Sequence, residues 1–408
     1  MKICIVGGGL TGLVAAFRLG PGHEVDLYEK RDHLGGCLSS YHINGYWLEE
    51  FYHHCFSGDS DLFSLMKELS IDDCLEWLNG TTGYYSNNTI YPLSSPLEIL
   101  KYPELSLADK MRLALIVMKA KRMDAGDLDQ VTARDFILES LGEKIYRSFF
   151  EPLLVSKFGE NRDRVSAAWL ISRVAIRSNR GLSGERLGYL RGGFQTLVNA
   201  LESSIGKHSV VRLNDPVETL EKDMHGWRVN GRLYDTGVST LPPHQLGVPG
   251  LAAAPRIPYQ GAACMAIGLE RDISDGIYWL NMKDPAPYGA VVSHTNFVPK
   301  DRYGEHIVYL ASYFSGKLPP HIDTRMFEDF CSRFDVSGSE VHWKRLAVEP
   351  LAGPVYTTGY RDLIPEYASH GLYFAGMFSA PNYPERSMNG AVVAGNEVAA
   401  LIERTEGR

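Results

Sequence analysis

The 408-residue chain has only six cysteines, and none of them forms a Cys-x-x-Cys pair, so a ribbon-type zinc site or a thioredoxin-like redox motif is not expected. It has no uninterrupted apolar run near the roughly 20 residues that a membrane-spanning helix needs. It also lacks a basic excess: the net charge is -8. Binding a phosphate backbone needs the opposite sign, so nucleic acid is not an expected partner. No charged leader with an apolar stretch precedes the first strand-like residues, and scattered cysteines without a leader point to reduced thiols in a cytoplasmic protein. What the chain does have is 44% hydrophobic and 22% charged residues. That is an ordinary globular composition, with length for about two domains.

The amino terminus carries the sharpest signal. Ile3-Cys4-Ile5-Val6 reads as a buried parallel strand and is followed by Gly7-Gly8-Gly9-Leu10-Thr11-Gly12. Residues 13–19 read as a helix, Gly20-Pro21-Gly22 as a break, and Val25-Asp26-Leu27-Tyr28 as a second strand ending in Glu29. This is the order of a dinucleotide-binding βαβ unit. Gly7 permits the tight turn, Gly9 lets the backbone approach a pyrophosphate, and Gly12 allows close helix–strand packing. The N–H groups at the helix start, around Leu10 and Thr11, favour an anion. Glu29 can accept hydrogen bonds from ribose hydroxyls and would repel a 2′-phosphate. At this stage NAD and FAD both remain open.

Glu29-Lys30-Arg31-Asp32-His33-Leu34-Gly35-Gly36, an acid, a basic stretch and a glycine pair, resembles the flavoprotein family of amine oxidases, phytoene desaturases and protoporphyrinogen oxidases. The carboxy-terminal segment agrees: a strand-like stretch ends in Gly376, and Met388-Asn389-Gly390-Ala391 opens a helix. Gly192-Gly193 and the strand-like stretches after residue 209, read as a β-meander, match the family's return to the cofactor domain. The protoporphyrinogen oxidase-like branch is further resembled by Phe149-Phe150-Glu151-Pro152, Lys157-Phe158-Gly159, Trp169 and Tyr356.

The resemblance implies FAD as cofactor and a glutathione reductase-type, Rossmann-like α/β domain with a discontinuous α+β substrate domain. The cofactor domain would gather residues 1–50, 186–245 and 350–408, and the substrate domain residues 51–185 and 246–349. It further implies that Val217 meets the adenine through its backbone and that the last helix points its amino terminus at the flavin. Cys37 stands where many relatives carry arginine, so that charge is replaced or absent, and Cys37 is either a flavin-proximal thiol or a small space-filler.

Tyr52-His53-His54 lies where relatives place a turn beneath the flavin. These residues are candidate catalytic groups, since imidazole suits proton transfer near neutral pH, and a structural pair is the alternative. Arg173, Arg177 and Tyr356 are candidate substrate contacts, with a solvated basic face as the competing reading for the arginines. Three functions stay open: a hydride-abstracting oxidoreductase for an apolar or cyclic small molecule, a redox-neutral mutase resembling UDP-galactopyranose mutase, and a non-catalytic flavin- or NAD-binding protein. The electron acceptor is open, no metal is expected, and contact with a membrane surface is possible.

Overall fold

The β-branched opening run forms β1 (Lys2–Val6) at the middle of a sheet, where both faces are covered and continuous apolar sequence is required. The computed structural model describes residues 1–120, 122–176, 185–246 and 254–406. β1 pairs in parallel with β2 (Glu24–Tyr28) on one side and with β13 (Thr236–Ser239) on the other. β9 (Ser209–Arg212) extends the sheet beyond β2, and β20 (Leu372–Phe374) extends it beyond β13, all in parallel. A short antiparallel edge, β19 (Ala368–Ser369), completes six strands in the order β19-β20-β13-β1-β2-β9. Strands some 370 residues apart in the chain thus share one sheet.

Helices α1 (Leu10–Leu19), α10 (Gln195–Ile205) and α12 (Met388–Glu406) pack together on this sheet. Leu13, Val14, Ala16 and Leu19 of α1 are fully buried, as are Leu197 and Leu201 of α10 and Val392, Val398 and Ile402 of α12. Each large aliphatic side chain so buried contributes roughly 1.5–3 kcal/mol. A separate antiparallel meander, β10 (Leu220–Asp223), β11 (Gly226–Val229) and β12 (Arg232–Tyr234), lies against β1 and β2 through Cys4, Tyr28, Val229 and Tyr234. The meander is shorter than the sequence suggests. Its flanking pieces, β9 and β13, join the parallel sheet instead, and residues 216–219 are irregular. Local β-propensity does not distinguish a meander strand from a parallel one; sheet partners do.

The second sheet has seven strands in the order β18-β14-β17-β16-β15-β6-β7. These are β6 (Thr82–Ser86), β7 (Thr89–Pro92), β14 (Tyr259–Leu269), β15 (Trp279–Met282), β16 (Ala290–Ser293), β17 (His306–Phe314) and β18 (Val341–Pro354). The β6–β7 hairpin closes on Asn87-Asn88, both at positive φ, which asparagine tolerates. β14 shows the period of two that a doubly covered strand requires. Ala262, Cys264 and Ala266 face the core shared with the first sheet; Ala263, Met265 and Ile267 face a second core, capped by α11 (Ile322–Arg333). Two further ribbons, β3 (Ser40–Ile43) with β4 (Tyr46–Glu49) and β5 (Leu75–Gly80) with β8 (Glu185–Leu190), link the sheets.

The remaining helices are α2 (Ser60–Glu68), α3 (Pro96–Lys101), α4 (Leu107–Ala120), α5 (Ala125–Leu128), α6 (Ala133–Leu141), α7 (Glu143–Ile145), α8 (Glu151–Phe158) and α9 (Ala167–Ile176). Those from α6 to α9 surround an aromatic core that includes Tyr146, Phe150, Phe158, Trp169 and Tyr356. α4 starts with a reciprocal cap: Asp109 N donates to Ser106 Oγ, and the Asp109 carboxylate accepts from Ser106 N. Among the described residues no helix is long and apolar enough to cross a membrane.

Candidate cofactor and active site

The glycines after β1 have distinct jobs. Gly7 sits at φ +103° and donates its N–H to Tyr28 O at 2.8 Å, a conformation that L side chains rarely adopt. A Cβ on Gly12 would fall 2.1 Å from Gly7 O, so only glycine lets α1 start so close to the strand. Gly9 differs. A Cβ there would meet only Gly36 Cα, at an ordinary 3.9 Å, so internal packing does not demand glycine at this position. Gly9 is the N-cap of α1 and supplies no side-chain cap. The first-turn amides around Leu10 and Thr11 therefore have no side chain of the cap residue to satisfy them, which suits an anionic diphosphate.

The second glycine pair lies on the first turn. Gly35 N donates to Gly8 O at 2.9 Å, and a Cβ on Gly36 would come within 3.0 Å of Gly9 Cα. Glu29 is 7% exposed; its carboxylate accepts from Gly8 N at 2.8 Å and from Arg31 N at 2.9 Å. Lys30 is exposed. Val217 packs partly against the Tyr28–Tyr234 cluster, two residues after Asp215, whose N–H donates to Glu29 O at 3.0 Å. Arg31 extends the other way, donating to Glu50 at 3.0 Å and to Glu349 at 3.2 Å. This places a guanidinium in the neighbourhood of Cys37. The Cys37 thiol is pushed up to about 11 by burial, with Glu349 adding to the effect, so at neutral pH it is uncharged.

The carboxy terminus closes against this turn. A Cβ on Gly395 of α12 would fall 2.8 Å from Val14 Cβ and 2.9 Å from Thr11 O, so the last helix rests directly on the first. Met388 and Ala391, at its start, belong to the same core as Leu10 and Val14. Buried Asn382 organises the approach: its Nδ2 donates to Gly376 O at 3.1 Å, and its Oδ1 accepts from Ser387 N at 3.1 Å. Gly390 has to be small because a Cβ would fall 2.3 Å from that Oδ1. The Asn389 side chain is already committed, accepting from Asp61 N and Leu62 N at 2.9 Å and so capping α2.

The candidate catalytic residues diverge. His53 donates from Nδ1 to Phe51 O at 2.6 Å, and burial, assisted by the charge of Arg386, pushes its pKa down to about 4. It is therefore neutral at pH 7. His54 lies in an aromatic box of Phe56, Tyr278, Trp279 and Phe297, with Nδ1 3.1 Å from the Tyr278 hydroxyl. The Tyr52 hydroxyl is 3.4 Å from that of Tyr313, and its ring stands edge-on to Trp279. The neighbouring Glu49 is spent on structure: buried, it accepts from the Tyr189 hydroxyl and from Phe194 N and so holds the Gly192-Gly193 turn.

Arg173 is not on a solvated face. Its Nη1 lies 3.8 Å from Glu385, whose carboxylate also receives Lys157 Nζ at 3.4 Å and the Trp169 indole N–H. Arg177 lies outside the described residues. Tyr356 is buried, and its hydroxyl donates to Asn382 O at 2.8 Å, which leaves the ring rather than the hydroxyl for contact with a ligand. Sequence reasoning missed Glu385 and Arg386, although an acid–base pair directly before the glycine-bearing helix was a visible signal.

The Arg386 guanidinium lies across Gly353 of β18, where a Cβ would fall 2.5 Å from its Cζ, and it has no hydrogen bond or ion pair among the described residues. Burial, with the charges of Arg173 and Arg386 adding and Glu385 opposing, pushes the Lys157 ammonium down to about 7. Burial works against ionisation of Glu385, but the nearby Lys157, Arg173 and Arg386 charges win and hold its carboxyl below the usual range.

The residues fit an extended dinucleotide. The turn of Gly9 leaves room for a diphosphate, and the charge of Arg386 acts on Cys37, His53, Tyr356, Lys157 and Glu385, which groups these side chains with Arg173 in one charged cluster. Among the described residues, no group of three or more His, Cys, Asp or Glu side chains could hold a metal ion.

Comparison with known proteins is consistent with this geometry. The family model described as flavin containing amine oxidoreductase matches residues 10–403. Coproporphyrinogen III oxidase of Staphylococcus aureus is 23% identical over 288 residues, which cover 60% of this chain and 61% of that protein. Zeta-carotene desaturase of Zea mays is 31% identical over 194 residues, 43% of this chain and 32% of the relative. The chain thus spans less than two thirds of the length of these relatives. In fold it is similar to reduced UDP-galactopyranose mutase, with a TM-score of 0.75 at 19% identity over 100% of this chain and 95% of the other.

Proposed function

The chain belongs to the flavin containing amine oxidoreductase family, whose cofactor is FAD, and we propose that it removes a hydride from a C–H bond of an apolar or cyclic small molecule. The observation that carries this reading is the convergence of Gly9, Gly36 and the start of α12 on the uncapped amino terminus of α1. The α1 amides and Gly9 would hold the diphosphate, Glu29 the adenosine ribose, and the residues around Val217 the adenine. Bound there, FAD supplies a two-electron acceptor, and the protein supplies position and electrostatics.

The chain's own residues then have separable tasks. The aromatic faces of Tyr356, Tyr313 and Tyr259 favour an apolar ring or chain and exclude water. Lys157, near half-protonated at pH 7, is suited to accept the proton that accompanies substrate oxidation. His53 is the weaker base, and its second ring nitrogen would serve as a hydrogen-bond acceptor for the substrate. His54, enclosed by aromatics, positions the segment. Coproporphyrinogen oxidase and zeta-carotene desaturase, the relatives named above, are by name enzymes of cyclic and extended apolar substrates, which supports the substrate class. Anaerobic mixing with porphyrinogens, polyprenoids, amines and nucleotide sugars tests the proposal: one of the first three should bleach the flavin absorbance. A purified protein that stays colourless and takes up no added FAD removes it.

One observation favours a second reading, a redox-neutral mutase. Lys157, Arg173 and Arg386 outnumber Glu385 in their cluster, and such a surplus suits an anionic sugar nucleotide. A mutase would turn over without consuming an electron acceptor, whereas the oxidoreductase stops after one equivalent when none is present.

A further inference from the structure

α4 is amphipathic with its apolar side turned outward. Leu113 and Ile116 pack inward on the aromatic core, next to buried Asp109 and Ala120. Leu107, Met111, Leu115 and Met118 recur at helical spacing on the opposite face and are 65%, 63%, 54% and 73% exposed. Adjacent α3 adds Leu97, Ile99 and Leu100, also exposed. Seven large apolar side chains on two neighbouring helices form a contiguous surface of the kind that marks an interaction site.

The exposed charges that flank the stripe on α4 itself are basic. At about 100° per residue, Lys110 flanks the α4 stripe on one side, and Arg112 and Lys119 flank it on the other. Between residues 96 and 122 there are six Lys or Arg and three acids, in a chain whose net charge is -8. All three acids are engaged with the protein. Glu98 caps α3 through Ser94 N and Ser95 N, Glu104 pairs with Lys283, and Asp109 binds Ser106 and Lys144. What the face presents outward is apolar side chains ringed by cations.

We propose that the α3–α4 face docks on an anionic lipid bilayer, with the apolar stripe in the headgroup–acyl boundary and the flanking Lys and Arg on lipid phosphates. This is the physical signature of a helix lying in a membrane interface. A second copy of the chain fits less well, because a twofold contact would set each ring of cations against its own image. A protein interface of this apolarity would also be depleted in lysine at its centre. The placement has a consequence for the candidate site: α4 packs on α9, which carries Trp169 and Arg173. The docked face is therefore one helix layer from that site, suitable for delivering an apolar substrate from the lipid. The docking itself rests on exposure and charge, and holds whichever chemistry the site performs.

Flotation of the full-length flavoprotein with vesicles tests it. Phosphatidylcholine vesicles containing phosphatidylglycerol should carry the protein upward at physiological salt, and phosphatidylcholine alone should carry much less. The double substitutions Leu107→Gln/Leu115→Gln and Lys119→Glu/Arg122→Glu should each lower binding by at least about tenfold. Flavin content and melting temperature should not change, because these side chains are exposed. No binding of the wild type to anionic vesicles overturns the proposal, as does full binding by the leucine double variant. It is equally overturned if those leucines turn a dimer into a monomer while lipid binding is absent, which would make the face a contact between copies.

Discussion

Substitution at Gly9 separates a glycine kept for a ligand from one kept for packing. Gly9 has φ -74° and ψ 175°, a backbone conformation that any residue adopts, and a Cβ there touches nothing closer than 3.9 Å. Gly9→Val therefore leaves the flavin-free protein about as stable as wild type, and reduced freedom of the unfolded chain adds up to about 1 kcal/mol in its favour. The new side chain instead fills the space assigned to the diphosphate. At an FAD concentration 100 times the wild-type Kd, binding stabilises the wild type by about 2.7 kcal/mol; if the variant's Kd rises about 100-fold, that gain shrinks to about 0.4 kcal/mol. Gly12→Ala behaves oppositely: its Cβ would lie 2.1 Å from Gly7 O, and such overpacking costs about 1–3 kcal/mol or more even without flavin. The assay is thermal melting of flavin-free protein with and without added FAD, alongside flavin fluorescence titration. Unchanged FAD affinity in Gly9→Val would refute the assigned diphosphate position, and a large loss of stability in its flavin-free form would refute the distinction between the two glycines.

Lys157→Met should slow flavin reduction at least tenfold and abolish the rate limb near pH 7. The sign follows from the depressed pKa: the base form is lost as pH falls through about 7, so the wild-type rate drops on the acid side, and a variant retaining that limb would exclude Lys157 as its origin. Asn382→Ala leaves the Ser387 amide without its partner and the Gly376 carbonyl with Ser379 N alone, at a cost of roughly 1–3 kcal/mol in denaturant unfolding, and should also weaken FAD binding. His53→Ala should slow flavin reduction with little change in melting temperature, while His54→Ala should lower melting temperature by losing its contacts with Tyr278 and the aromatic box; rapid-mixing kinetics and calorimetry distinguish them, and the reverse pattern would exchange their assignments.

The βαβ unit was legible because everything it needs is local. Strand, turn, helix and terminal acid occupy residues 2–29, and each glycine answers a short-range steric demand. The glycine pair at 35–36 and the helix from 388 were legible for the same reason. The charged cluster was much less so. Lys157, Arg173, Glu385 and Arg386 are as far as 229 residues apart in the chain. Nothing in their local sequence brings them together: for Arg173 a substrate contact and a solvated basic face were the readings open, and its approach to Glu385 appears only where α9 meets the segment before α12.

What the sequence by itself determined is the strand, glycine turn and helix that open the fold, since a glycine requirement is written in φ angles and hard-sphere contacts within a few residues. Tertiary structure alone decided the rest. It divided the strands after residue 209 between the parallel sheet and the meander, turned His54 into an aromatic box, committed the Asn389 side chain to α2, and laid the Arg386 guanidinium across Gly353. The physical reason is that burial and pairing belong to the environment of a side chain, and that environment is assembled from segments whose separation along the chain carries no record of their meeting.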